Sequence, residues 1–235
     1  MLKRIGVSII SLAISFLVIG GCSSSGGGSC PDTTLNISVC DPSAGPFSII
    51  IDNEFFPLFV GDELVLEGEE DGEFLEVIIT VLDEIEVVAG VTTRVIEETE
   101  FVDGELLEIS RNFFVQAPDG TVCYYGEDVD VYEDGIIVGH PGEWRAGEDG
   151  NLPGIQMPGN PQIGDIYAQE IAPGIAQDQA EIVALGETIT VPAGTFSDTL
   201  ITEDCNPLDN GALDDKAYVS GIGLAIDAAA ELVSF

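Results

Sequence analysis

The chain has 235 residues, of which 43 are acidic and six basic, and its formal net charge is −37. A charge of this sign and size excludes nucleic-acid binding, because no basic patch exists to neutralise phosphates, and it excludes electrostatic docking on anionic lipid headgroups. The acids are spread along the whole chain, as in a protein that keeps its surface hydrated in salt; the competing reading is binding or steering of cations.

In chain order, Lys3 and Arg4 form a short basic region, and Ile5 to Ile19 is an apolar run too short for a comfortable membrane span. Small residues then lead into a cysteine, in Leu17-Val18-Ile19-Gly20-Gly21-Cys22. That is the order of a secretory signal. The ending resembles the lipobox of bacterial lipoproteins. The resemblance implies that residues 1–21 are a removed signal peptide and that Cys22 is the acylated first residue, with palmitate among its lipids. The mature chain then keeps four basic residues, Arg94, Arg111, Arg145 and Lys216, against all 43 acids, a formal charge of −39. Its membrane contact would run through the lipid alone. Ser23 follows the cysteine, which by resemblance to Gram-negative lipoproteins implies the outer membrane in such a host. Residues 22–29 read as lipidated cysteine plus flexible Ser/Gly tether.

The other cysteines are an even set: Cys30, Cys40, Cys123 and Cys205. Export favours disulfides, and four cysteines allow three connectivities. The expected pairs are Cys30–Cys40, clipping an opening loop over 30–47, and Cys123–Cys205, a staple between strands. Zinc is the weaker reading, since no C-x-x-C occurs and His140 is the sole histidine.

From residue 48 to 235 the chain reads as one β domain. In 75–87 the odd positions are mostly apolar, as are Leu107, Ile109, Phe113 and Val115, so these sets are expected to face inward. Turn pairs at Asp71-Gly72, Ala89-Gly90, Asp103-Gly104, Asp119-Gly120 and Asp134-Gly135 punctuate the runs and predict hairpins over 62–139. Residues 140–164 carry six glycines and four prolines without periodicity and read as a long loop across one end or face. Strand signals resume at 165–171, 181–185, 188–191, 195–202, 217–219 and 224–226. Ala176–Ala180 and Ala228–Leu232 are the helical candidates. The predicted fold is all-β: a long antiparallel up-and-down meander forming a strongly curved sheet or partial barrel.

The sites this pattern offers are few. His140 precedes Pro141 in a glycine-rich loop, and no G-x-S-x-G occurs, which argues against a nucleophilic hydrolase. Carboxylate pairs are too common to single out glycosidase chemistry, and Trp144 is the one tryptophan for a sugar platform. For calcium the candidates are Asp128, Asp130, Glu133 and Asp134. Asp128-x-Asp130 begins like an EF-hand loop, but Tyr132, Glu133 and Gly139 then break the pattern. For a ligand the candidates are Arg111, which interrupts an apolar set, and His140, Trp144 and Arg145, with Met157 nearby. Trp144 is alternatively a plug for a barrel end.

The stretch GEDVDVYEDG…GEWRAGEDGNLPGIQMPGNPQIGDIYAQE over 126–170, with Val219-Ser220-Gly221-Ile222-Gly223-Leu224, resembles exported bacterial β-rich proteins and lipoproteins. The resemblance implies fold and location. The leading expectation is a lipid-anchored, non-enzymatic envelope protein that binds a ligand or partner, with apolar inner strand faces suited to a hydrophobic molecule. A calcium-stabilised structural or surface-interaction module comes second and an unfamiliar hydrolase third.

Overall fold

The computed structural model describes residues 29–235 apart from Asp71; the expected signal peptide, the expected lipidation site Cys22 and most of the expected tether lie outside the described residues. The described chain is all-β, with two short 3-10 turns at Ile37–Cys40 and Pro207–Asp209. A first small pair, β1 (Ile51–Asp52) and β2 (Pro57–Leu58), precedes the hairpin series β3 (Glu63–Glu70), β4 (Glu73–Val88), β5 (Val91–Val102), β6 (Glu105–Gln116), β7 (Val122–Glu133) and β8 (Ile136–Gly139). Then come β9 (Trp144–Arg145), β10 (Gly154–Met157), β11 (Ile166–Ala168), β12 (Gln179–Val191), β13 (Gly194–Asn206), β14 (Ala212–Val219), β15 (Gly223–Asp227) and β16 (Ala230–Ser234).

Fourteen strands form one antiparallel sheet in the order β10-β7-β6-β5-β4-β3-β16-β15-β14-β13-β12-β11, with β8 and β9 on further stretches of β7. The meander is therefore two runs, joined where the last strand inserts beside the first. Ala230 pairs with Gly68, and a Cβ on Gly68 would lie 2.3 Å from the Ala229 carbonyl oxygen, so glycine permits this seam. The seam also corrects the helical expectation for 228–232, because pairing with β3 and β15 holds that tail extended. Residues 176–180 likewise lead into β12 instead of coiling. The ladder does not close into a barrel. Its margins meet at one bridge, Leu152–Ile171, and Gly154 packs against the Gln169 carbonyl, where a Cβ would lie 2.1 Å away.

The loop expected over 140–164 is in part sheet. Trp144 pairs with Glu127 and Arg145 with Gly126, whose φ of +134° and lack of Cβ admit the Trp144 carbonyl. In β4 the odd positions face inward as far as Val81. Ladder pairs jump from Val81–Ile96 to Ile85–Arg94, and beyond this irregularity Ile85 and Val87 are exposed. Arg94 fills the distortion, donating to the carbonyls of Leu82 and Glu84 at 3.1 and 3.2 Å.

The disulfides correct the expected connectivity. The bridges are Cys30–Cys205 and Cys40–Cys123, spanning 175 and 83 residues. The opening segment is not clipped to itself: it lies across the sheet, stapled at two points. The Tyr125 hydroxyl donates to the Cys40 carbonyl at 2.7 Å, and Thr34 bonds the backbone of Ile166. Further along, Asn53 ties the segment down. Its Nδ2 donates to the carbonyls of Gly120 and Pro158, and its Oδ1 accepts from the Phe55 and Phe56 amides.

Candidate functional site

The inner face of the sheet has an aromatic end and an acidic end. At the aromatic end Phe56 reaches in from the opening segment, with ring centroids 5.2 Å from Phe114 and 6.4 Å from Tyr218. Phe114 stacks on Tyr124 at 4.6 Å, and Tyr124 meets Trp144 edge-on at 5.3 Å. These hairpin ends lie opposite the turns after β3, β5, β7 and β13; that second pole is where Cys30 joins Cys205.

Seven carboxylic acids are buried among the described residues: Glu98, Glu100, Glu108, Glu127, Glu170, Asp204 and Asp227, none more than 8% exposed. Register explains how they come inside. Val77 and Ile79 of β4 pair with Glu100 and Glu98 of β5, which in turn pair with Glu108 and Ser110 of β6. Paired residues share a face. The inward set of β6 is therefore Glu108, Ser110, Asn112 and Phe114, the reverse of the expected one. Phe113 and Val115 are buried as well, on the other face; Phe113 lies under the Arg145 guanidinium at 4.8 Å. Toward the aromatic end both faces of β6 are covered, at Phe113 and Val115 on one side and Asn112 and Phe114 on the other, so alternation does not distinguish them there.

One cation answers these acids. Lys216 Nζ lies 3.2 Å from Asp227 and 3.9 Å from Asp204. Burial works against its charge, but the two carboxylates outweigh burial and hold its pKa above the ordinary lysine value. Burial raises Asp204 to about 6 even with Lys216 opposing it. Burial, and then the Glu98 charge, raises Glu108 to about 8. Glu100, Glu127 and Glu170 are pushed well above the usual carboxylate range, first by burial and then by neighbouring acids. This face can hold protons at neutral pH and release them as the pH rises. Several polar atoms within the fold are buried without a hydrogen-bond partner, among them Glu108 Oε2, the hydroxyls of Tyr167 and Tyr218, and both amide atoms of Gln156.

The residues singled out from the sequence divide between the two faces. Trp144 is buried at the aromatic end, its Nε1 donating to Glu170 at 3.3 Å. Arg145 points the other way, with two bonds to Asp128 at 2.9 and 2.6 Å and one to Glu86 at 3.1 Å. Arg111 pairs with Glu84 on the same outer face. His140 Nδ1 sits 2.7 Å from the Val129 carbonyl and 3.0 Å from Asp130. Met157 is fully buried in β10. Of the calcium candidates, Asp128 and Asp130 are engaged by Arg145 and His140, while Glu133 and Asp134 sit at the exposed β7–β8 turn. Among the described residues no three acids, histidines or cysteines are placed to hold a metal ion.

The inner acids were missed because Glu97, Glu98 and Glu100 look alike in the sequence. The available signal was Lys216, the one lysine after Lys3, directly before the apolar Ala217-Tyr218-Val219. Comparison with protein-family models, curated proteins and solved structures finds no match to this chain.

Proposed function

We propose that this chain is an exported, lipid-anchored envelope protein whose β domain, curled into a partial barrel, is a non-enzymatic binding module for an envelope partner. The observation that carries the reading is the cysteine set. All four cysteines after Cys22 are joined in two long-range disulfides, which suits an oxidising compartment and leaves Cys22 for the lipid. No helix among the described residues is long and apolar enough to cross a membrane, so attachment would rest on acylation.

Curling is supported by Phe56. It touches Phe114 on β6 and Tyr218 on β14, six ladder steps apart. Six steps in a flat sheet span about 29 Å, far beyond one phenyl ring. The inner face also weighs against the hydrophobic-carrier form of the expectation, since large side chains such as Phe114, Tyr124, Tyr167 and Tyr218 occupy it together with the acids. Binding then falls to the exposed surface and edges.

Labelling with a clickable palmitate tests the anchor: wild type takes the label and Cys22→Ser does not, and equal labelling refutes it. Native mass spectrometry of protein from its own host tests the module. A bare domain mass, with a larger complex under gentle conditions, is expected. A retained small hydrophobic adduct would return the carrier reading.

A further inference from the structure

Glu100 and Glu108 are ladder partners near the hairpin end of β5 and β6, each 1% exposed. Their surroundings offer little to a charge. Val77 of β4 lies opposite Glu100, and Val131 of β7 lies opposite Glu108. The titratable groups facing them are Glu98 on β5, Asp227 on β15 and Glu127 on β7, with Lys216 on β14 already engaged by Asp227 and Asp204. Glu70 of β3, at the same pole, also has a buried carboxylate oxygen.

A second observation concerns Tyr218, which has Asp227 and Glu98 as charged neighbours in common with Glu100, and Tyr167, whose charged neighbours include Asp204 and Lys216. The Tyr218 hydroxyl is fully buried without a hydrogen-bond partner, and it feels the charges of Asp204, Asp227 and Glu98. The Tyr167 hydroxyl is in the same condition, close to Asp204 and Lys216. Unpaired buried polar groups penalise the closed state, and water entering would satisfy them.

We propose that Glu100 and Glu108 form a proton-held latch: protonated, they keep the β5–β6 end of the inner face packed toward β14 and β15, and ionised, they release it and let water reach Tyr218 and Tyr167. The protonated pair can be buried at modest cost, whereas two neighbouring carboxylates on one buried sheet face repel each other and lose their hydration. The transition falls in the mildly alkaline range, where Glu108 gives up its proton. The released end lies at the pole where Cys30 is stapled to Cys205. The latch does not depend on acylation of Cys22.

Hydrogen exchange read by mass spectrometry on the disulfide-bonded mature protein tests this, with protection factors corrected for intrinsic exchange at pH 6 and pH 9. In wild type, protection over 101–107 should fall about tenfold or more by pH 9, while 113–115 at the aromatic end holds. The double variant Glu100→Gln/Glu108→Gln should keep its pH 6 protection throughout. Glu108→Gln alone, as the milder change, should move the midpoint upward. Unchanged wild-type protection, an equal loss in the variants, or a loss spread evenly over the sheet overturns the latch. Calcium restoring wild-type protection at pH 9 also overturns it, because the acids would then be holding a cation.

Discussion

At one end of the inner face Phe56, Phe114, Tyr124 and Trp144 make ring contacts of 4.6 to 5.3 Å; at the other, Glu98, Glu100 and Glu108 occupy positions continuous with Val77 and Ile79 of the neighbouring strand. The aromatic end draws most of its stability from apolar area and ring packing, which do not change with pH, although buried Glu170 and Glu127 lie beside Trp144 and Tyr124. The acid end holds carboxyl groups whose pKa burial raises, so its stability depends on their protonation state. The two share one sheet and one covering segment, so the difference lies in the side chains and not in the backbone. It teaches that burial alone does not make a core: the same strands carry one half dominated by ring packing and one dominated by carboxyl groups.

The sharpest way to break the contrast is at the aromatic hub. Phe114→Ala removes a fully buried ring that both Phe56 and Tyr124 contact, and should cost about 3–5 kcal/mol at every pH, read by urea unfolding. A pH-dependent cost would mean that the two ends are not separable. Lys216→Met should cost about 3–4 kcal/mol near neutral pH by stranding Asp227 and Asp204, and less in acid, where those carboxyls are protonated. Loss of the Cys40–Cys123 bridge by paired Ala substitution should cost about 2–4 kcal/mol through the freed opening segment.

The acid end supplies the pH dependence. Glu108 has a folded value of about 8 against an ordinary 4.5. Its proton is held more tightly in the folded state, so its contribution is whole below the unfolded value and drains as the pH rises through 8. Asp204, raised to about 6, adds loss in the same direction between 3.8 and 6. Thermal melts should therefore show the midpoint falling from pH 5 to pH 9. Glu108→Gln should flatten that fall, gaining on the order of a few kcal/mol at pH 9. A steeper fall in the variant would contradict the assignment. The smallest effect belongs to the outer face: Arg111→Ala breaks a half-exposed pair with Glu84 and should move stability by under about 1 kcal/mol.

Local patterning made the hairpin series from β3 to β8 legible, because Asp-Gly turns and alternating strands are encoded in neighbouring residues. Trp144 stood out in the sequence as the one tryptophan, but its place against Tyr124 and Glu170 depends on strands paired in the tertiary structure. Arg145 beside it could not be placed, because its partners Asp128 and Glu86 come from two other strands. The disulfide partners were out of reach for the same reason: Cys30 meets Cys205 only once 175 residues have been folded between them.

The sequence by itself determined the class of the fold, the hairpins of its first half and an even set of cysteines, all properties carried by short stretches of chain. Only the tertiary structure decided the seam between β3 and β16, the two staples and, above all, which glutamates of β5 and β6 are buried. Periodicity says that alternate residues share a face; it does not say which face is covered. At the Phe113–Val115 end of β6 both are, and register with Val77 and Ile79 is what turns Glu98 and Glu100 on the adjacent strand, and Glu108 on the next, inward.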